Sequence, residues 1–231
     1  MAELPVNNPE RILRVLDSHL EKDTRIVLFG RAALALGYGD FGSQFGKTLD
    51  VDAILPTVEM GKIEADAQFW KAIELTNKHL LPEGLYVSHL FTDEQVALTP
   101  NWLEKIVPIA VADLRHLQLF RPSSTDLILT KMMRNDRQDI EDIAFILSRE
   151  KIDVAELDRA FACVKPHELV ELRRIFSEMQ PQVRDMAVRS VAVGANPDRF
   201  RHNLDPDWWS QLTQQPKVPE PSIDKDHAPE L

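Results

Sequence analysis

Two apolar runs restrict what this chain can fold into more than any other feature. The first, RIVLFG, ends on Gly30; the second, LDVDAIL, is β-branched and apolar yet holds Asp50 and Asp52 with one residue between them. In a strand, residues i and i+2 project from the same face, so the two carboxylates stand side by side while Val51 points the other way. A carboxylate in a buried strand is costly unless its charge is compensated, and two neighbouring ones repel each other. Paired carboxylates of this kind suit a hard cation such as Mg²⁺, whose remaining positions are filled by water and substrate phosphates. Between the runs, RAALAL has a helix-forming composition and is stopped by Gly37 and Gly39. A helix that begins at Gly30 would turn free backbone amides toward phosphate oxygens. A phosphate seat and a metal seat would then face each other.

Around this pair the pattern alternates between strands and helices. A helix is expected over 8–20, with Asn8 as cap, Pro9 in its first turn and Ile12, Leu16 and Leu20 on one face. A second is expected over 62–80, with Phe69, Trp70, Ile73 and Leu80 as its stripe, and further strands at GLYVSHLF, KIVPIAV and RHLQLF. From Ser123 onward every segment reads as helix: SSTDLILTKMMR, DRQDIEDIAFILSRE, DVAELDRAFACV and PHELVELRRIFSEM. The expected organisation is a strand-and-helix domain over 1–122, a small helical bundle over 123–214 and a disordered tail over 215–231, where four prolines interrupt a polar sequence.

Composition narrows the function classes. With 231 residues and 44% hydrophobic content the chain can bury a substantial core. No stretch approaches the roughly 18 uninterrupted apolar residues of a membrane helix, and the amino terminus has charges throughout, so a soluble, cytoplasmic protein without membrane contact is expected. The net charge of −10 disfavours a protein that grips nucleic acid chiefly through phosphate neutralisation. The single cysteine, Cys163, excludes an internal disulfide and is expected as a small buried thiol. Arg184, Arg189, Arg199 and Arg201 read as a solvated face.

The glycine-ended strand, the short helix and the Asp-x-Asp strand together resemble the nucleotidyltransferase superfamily. The likeness is strongest to its minimal, toxin-type and uncharacterised bacterial branches, which often carry a threonine two places before the first aspartate, here Thr48. Those branches also follow with a helix of the form Asp-Leu-x-x-x-Lys, matched by Asp126, Leu127 and Lys131, and then an Asp-rich helix start, matched by DRQDIEDIAFIL. The resemblance covers about 25–147. It implies an α+β fold, a mixed sheet with flanking helices, ahead of the helical bundle. It also implies Mg²⁺-dependent transfer of a nucleoside monophosphate from an NTP to an acceptor hydroxyl on a protein, an RNA such as tRNA, or a small molecule. Asp50 and Asp52 would be the catalytic, metal-holding pair, with Gly30, Arg31, Thr48 and Lys131 binding the nucleotide.

The chain departs from that pattern in four places, the first being a spacing from Gly30 to Asp50 longer than the compact family pattern. Arg31 stands where the family usually has a small residue, Gly46 stands where an arginine is frequent, and the strand that normally supplies a third carboxylate offers Ser88 and His89, with Asp93 only beyond its end. The alternative that these departures support is a nucleotide- or partner-binding module without catalysis, for example one half of a toxin–antitoxin pair. Asp139 and Asp142 read as acids that complement a helix dipole, and His89 as a core histidine.

Overall fold

The computed structural model describes residues 7–39, 45–165 and 168–193. Five strands, β1 (Thr24–Phe29), β2 (Asp50–Leu55), β3 (Tyr86–Thr92), β4 (Val107–Ile109) and β5 (Leu117–Arg121), form one sheet in the order β3-β2-β1-β5-β4. The sheet is mixed: β1 runs antiparallel to β2 and parallel to β5, β2 is parallel to β3, and β4 is antiparallel to β5. Helix α1 (Asn8–His19) precedes the strands, α2 (Gly30–Gly37), α3 (Met60–Glu64) and α4 (Ala67–Leu80) are threaded between them, and α5 (Ser124–Lys131), α6 (Arg137–Arg149), α7 (Val154–Cys163) and α8 (Val170–Val193) follow them. The class is therefore α+β, as the resemblance implies. No described helix is long and apolar enough to cross a membrane. The tail over 215–231 and Arg199 and Arg201 lie outside the described residues.

Local chemistry explains most element boundaries and corrects three expectations. The cap of α1 is Asn7, whose side chain accepts from the Glu10 amide at 3.3 Å, so Asn8 is already helical and Pro9 follows in the first turn. The helix expected over 62–80 is two helices, because Asp66 caps α4 by accepting from the Phe69 amide at 3.2 Å. Cys163 is exposed, because the buried stripe of α7 is Leu157, Ala160 and Phe161, and residue 163 falls beside that stripe. Of the arginine face, Arg184 pairs with Asp158 and covers the Phe161 ring at 5.2 Å, and Arg189 pairs with Asp185.

One core cluster joins Val27 and Ile54, partners across β1 and β2, to Leu98 and Trp102 of the loop that follows β3. That loop is tied down by Asp126, fully buried at the start of α5, which accepts from the Thr99 amide at 2.7 Å and from the Ser123 hydroxyl at 2.7 Å. The first residue of the Asp-Leu-x-x-x-Lys pattern thus serves packing, fixing a loop beside the strand that carries the aspartates.

Side chains cross the change of character at Pro122. Arg121 is buried, donates to the Gly37 carbonyl at 3.2 Å and to Ser124 Oγ at 3.2 Å, pairs with Glu150 at 2.6 Å and lies 4.3 Å over the Tyr38 ring. Burial pushes the Tyr38 hydroxyl up to about 12, against the pull of Arg121 and a hydrogen bond to Ser124. A Cβ at Gly37 would meet Arg121 Cδ at 2.5 Å. Arginine held at four points cannot retreat. We therefore expect Gly37→Ala to cost about 2 kcal/mol in urea unfolding, since overpacking of 1–3 kcal/mol outweighs the 0.5–1 kcal/mol that alanine adds to a helix. A neutral or stabilising result would show that the arginine cluster yields.

Asp17, near the end of α1, is buried and accepts from the backbone amides of Arg115, His116 and Leu117 at 2.8–3.1 Å, which pins α1 to the entry of β5. Burial raises its pKa, but the three amides lower it further, and the carboxyl sits below its ordinary 3.8. Because the folded value is depressed, the stabilisation is complete above that ordinary value and drains away as pH falls through the lower one. Acid titration of the melting temperature should therefore show a loss below about pH 4 that Asp17→Asn flattens, at a cost of about 2 kcal/mol at neutral pH. Parallel acid profiles for the two proteins would refute this role.

Candidate nucleotide and metal site

Gly30 is the hinge between β1 and α2, with φ +63°, a left-handed conformation that glycine adopts without strain. No side chain caps α2, so its first amides remain open. Phe29 pairs with Asp52 across the antiparallel ladder, which brings the second aspartate beside the glycine. A Cβ at Gly30 would sit 3.2 Å from Asp52 Oδ2, a second reason that only glycine fits.

A bulge shapes the other side of the pair. The β2–β3 register passes from Val51↔Val87 to Ala53↔Leu90, so β3 sets two residues, Ser88 and His89, against the single Asp52. The Ser88 hydroxyl donates to Asp52 Oδ1 by a short hydrogen bond and lies 3.4 Å from Asp50 Oδ2, between the two carboxylates. Thr48 Oγ1 donates to Asp50 Oδ1 at 2.8 Å. His89 is no core histidine: its side chain is 68% exposed, stacked on Phe91 at 5.1 Å, with Nδ1 3.4 Å from Asp52 Oδ1.

No lysine or arginine among the described residues pairs with Asp50 or Asp52. Two half-buried carboxylates fixed by hydroxyls and left without a lysine or arginine partner among the described residues are the donor set that a Mg²⁺ ion fits. The described residues contain no group of three or more ligating side chains. Asp93 is committed elsewhere, accepting from the Thr57 amide at 3.1 Å, from the Thr57 hydroxyl and from Trp102 Nε1 at 3.1 Å.

The facing wall is a braced network of ion pairs. Lys131, buried at the end of α5, places Nζ 3.1 Å from Asp139 Oδ1 and 2.6 Å from Asp142 Oδ2. Arg134 grips Asp139 with two bonds at 2.9 and 3.0 Å, and Arg31 reaches across to Asp142 Oδ1 at 3.3 Å. Arg134 also lies 3.7 Å from Asp136, so three cations here face three carboxylates. Asp142 is fully buried, and burial lifts its pKa against the pull of Lys131 and Arg31. Asp139 and Asp142 are thus counter-ions as well as acids near a helix start. Their i, i+3 spacing, which places both on one helix face, was the sequence signal for that role.

Gly30, Arg31, Thr48, Asp50, Asp52 and Lys131, the six residues singled out in the sequence, all line one cleft of about 430 Å³. Phe91, Gln95, Val96, Ala97 and Met133 line both this cleft and a larger cavity of about 880 Å³ that extends between the loop after β3 and the α7–α8 corner. No curated protein and no solved structure gives a significant match to the chain. Residues 10–180, which hold the whole sheet, both walls of the cleft and the Asp50–Asp52 pair, match the family described as "Nucleotidyltransferase of unknown function (DUF6036)", and the chain belongs to that family.

Proposed function

We propose that the chain is a Mg²⁺-dependent nucleotidyltransferase that moves a nucleoside monophosphate from an NTP to an acceptor hydroxyl. The observation that carries this reading is the Asp50–Asp52 pair, without a lysine or arginine partner among the described residues, beside the open amino end of α2 and opposite a wall that holds Arg31, Lys131 and Arg134 in one cleft. Mg²⁺ held by Asp50 and Asp52 would supply a charge that draws electron density from the reacting phosphoryl group. The chain's own residues do the rest. Thr48 and Ser88 hold the carboxylates in place. The amides of α2 seat phosphate oxygens, Arg31 offsets their charge from the edge of the cleft, and Lys131 does so from behind. The acceptor oxygen bonds the α-phosphorus as the bond to pyrophosphate breaks, and the hydroxyl proton leaves to solvent. The larger cavity, within the 300–1,000 Å³ range of ordinary ligand sites, gives the acceptor a place next to the phosphates.

A second reading is favoured by one observation: the strand opposite the aspartates offers Ser88, and Asp93 is engaged with Thr57 and Trp102. On that reading the protein binds a nucleotide or a partner, as in a toxin–antitoxin pair, without transfer.

Two measurements separate the readings. Millimolar Mg²⁺ with an NTP at a hundred times its dissociation constant should stabilise the fold by about 2.7 kcal/mol, and neither component alone should match it. An NTP labelled at the α-phosphate should then label a component of a cell lysate with wild-type protein and not with Asp52→Asn. Stabilisation without labelling would establish the nucleotide-binding module; no stabilisation with any of the four NTPs would remove the transferase reading and leave the second reading only in its partner-binding form.

A further inference from the structure

Arg31 raises a problem that the proposed function leaves open. It directly follows Gly30, and consecutive Cα atoms are about 3.8 Å apart. Its neighbour's missing Cβ would be 3.2 Å from Asp52 Oδ2, and Arg31, Asp50 and Asp52 line the same cleft. A guanidinium on a flexible stem so close to two unpaired carboxylates should fold onto them, making a bidentate pair where a cation is meant to bind. It does not. No hydrogen bond or ion pair joins Arg31 to either aspartate; it donates to Asp142 Oδ1 at 3.3 Å and lies 5.4 Å over the Phe45 ring, with 30% of its side chain exposed. Its Nε is buried and makes no hydrogen bond. The pairing therefore leaves a donor unsatisfied, so local hydrogen bonding alone does not explain this orientation. The fully buried Asp142, oriented by Lys131 at 2.6 Å, supplies the pull.

We infer that Asp142 is a positioning residue that restrains the Arg31 guanidinium away from Asp50 and Asp52 and so keeps their carboxylates available to a divalent cation. This rests on the assignment of Asp50 and Asp52 as the metal-holding pair, and it adds a device to it. The chain carries a cation at the phosphate turn and an anion, on a different helix and shared with Lys131, that keeps it from capturing the metal site. The restraint also accounts for a bulky residue at a position where backbone must approach phosphate. With its guanidinium anchored to α6, Arg31 sits beside the seat instead of inside it.

The test is Mg²⁺ binding without nucleotide, by calorimetry on the full chain, with Mn²⁺ as a second probe. Wild type should bind; if it does not, the metal-site assignment fails, and this inference falls with it for a distinguishable reason. Asp142→Asn keeps an oxygen acceptor for Lys131, which also retains Asp139, but weakens the hold on Arg31. Its affinity for Mg²⁺ should fall about tenfold, the worth of one charge-assisted pairing gained by the competitor. Arg31→Gln in that background should restore the wild-type affinity, which a general loosening of the fold would not allow. Arg31→Gln alone should leave the affinity within about twofold, because the guanidinium is already held away. Equal Mg²⁺ affinity in wild type and a folded Asp142→Asn overturns the inference, as does failure of Arg31→Gln to rescue it. Should Asp142→Asn not fold, Arg31→Gln alone decides: unchanged affinity sustains the restraint, and a large gain shows that Arg31 already competes in the wild type.

Discussion

Asp50→Asn should abolish nucleotidyl transfer, by about a thousandfold or more, while leaving the melting temperature unchanged or raised. The substitution keeps the shape of the side chain and an oxygen for the Thr48 hydroxyl, which donates at 2.8 Å in the wild type. It removes one of two charges that no lysine or arginine among the described residues offsets. Loss of a ligand charge of this kind takes away several kcal/mol of transition-state stabilisation. The same loss relieves carboxylate repulsion in the metal-free protein, so the fold should not weaken. Rate loss and stability thus move in opposite directions, as expected where a functional arrangement is held against the preference of the fold. Labelled-NTP transfer and a thermal melt on the same preparation check both halves. Retained transfer within about tenfold would remove Asp50 from the chemistry, and an unfolded variant would make it a structural hydrogen-bonding residue.

The aspartates were legible in the sequence because strand periodicity is a local rule: alternate residues share a face whatever the rest of the chain does. Gly30 was legible for a similar reason, since a strand that turns at once into a helix beside a carboxylate leaves no room for a side chain. What escaped depends on contacts between distant segments. The bulge that sets Ser88 and His89 together against Asp52 follows from the β2–β3 register, which no local pattern encodes. Asp93 looked like a spare carboxylate near the right strand. Only the folded chain reveals that Thr57 and Trp102, residues on either side of it in sequence, occupy it. Cys163 was placed in the core by composition, whereas helical phase puts it outside. The orientation of Arg31 is the extreme case, set by a carboxylate 111 residues away.

Lys131→Met should cost the fold about 3–5 kcal/mol, far more than the loss of a solvent-facing lysine. Were Lys131 only a phosphate-binding side chain at the edge of a cleft, it would be dispensable for stability, and its removal would weaken nucleotide binding alone. Its placement argues otherwise. It is only 5% exposed, and its ammonium lies between Asp139, 1% exposed, and Asp142, fully buried. Methionine fills the volume but leaves Asp142 with Arg31 at 3.3 Å as its remaining cationic partner, and a buried charge stripped of its close partner is among the costliest local defects. Asp139 keeps its two bonds from Arg134, so the damage centres on Asp142. That asymmetry makes the claim testable by a second substitution. Adding Asp142→Leu removes the stranded carboxylate and replaces the ion pair by apolar groups of similar size, an exchange that is often neutral in buried sites. The double variant should recover most of the stability lost by Lys131→Met. Urea unfolding of the two variants beside wild type decides the matter: a single-variant loss below about 1 kcal/mol, or no recovery in the double variant, would mean that Lys131 is not held by its carboxylates as the geometry requires.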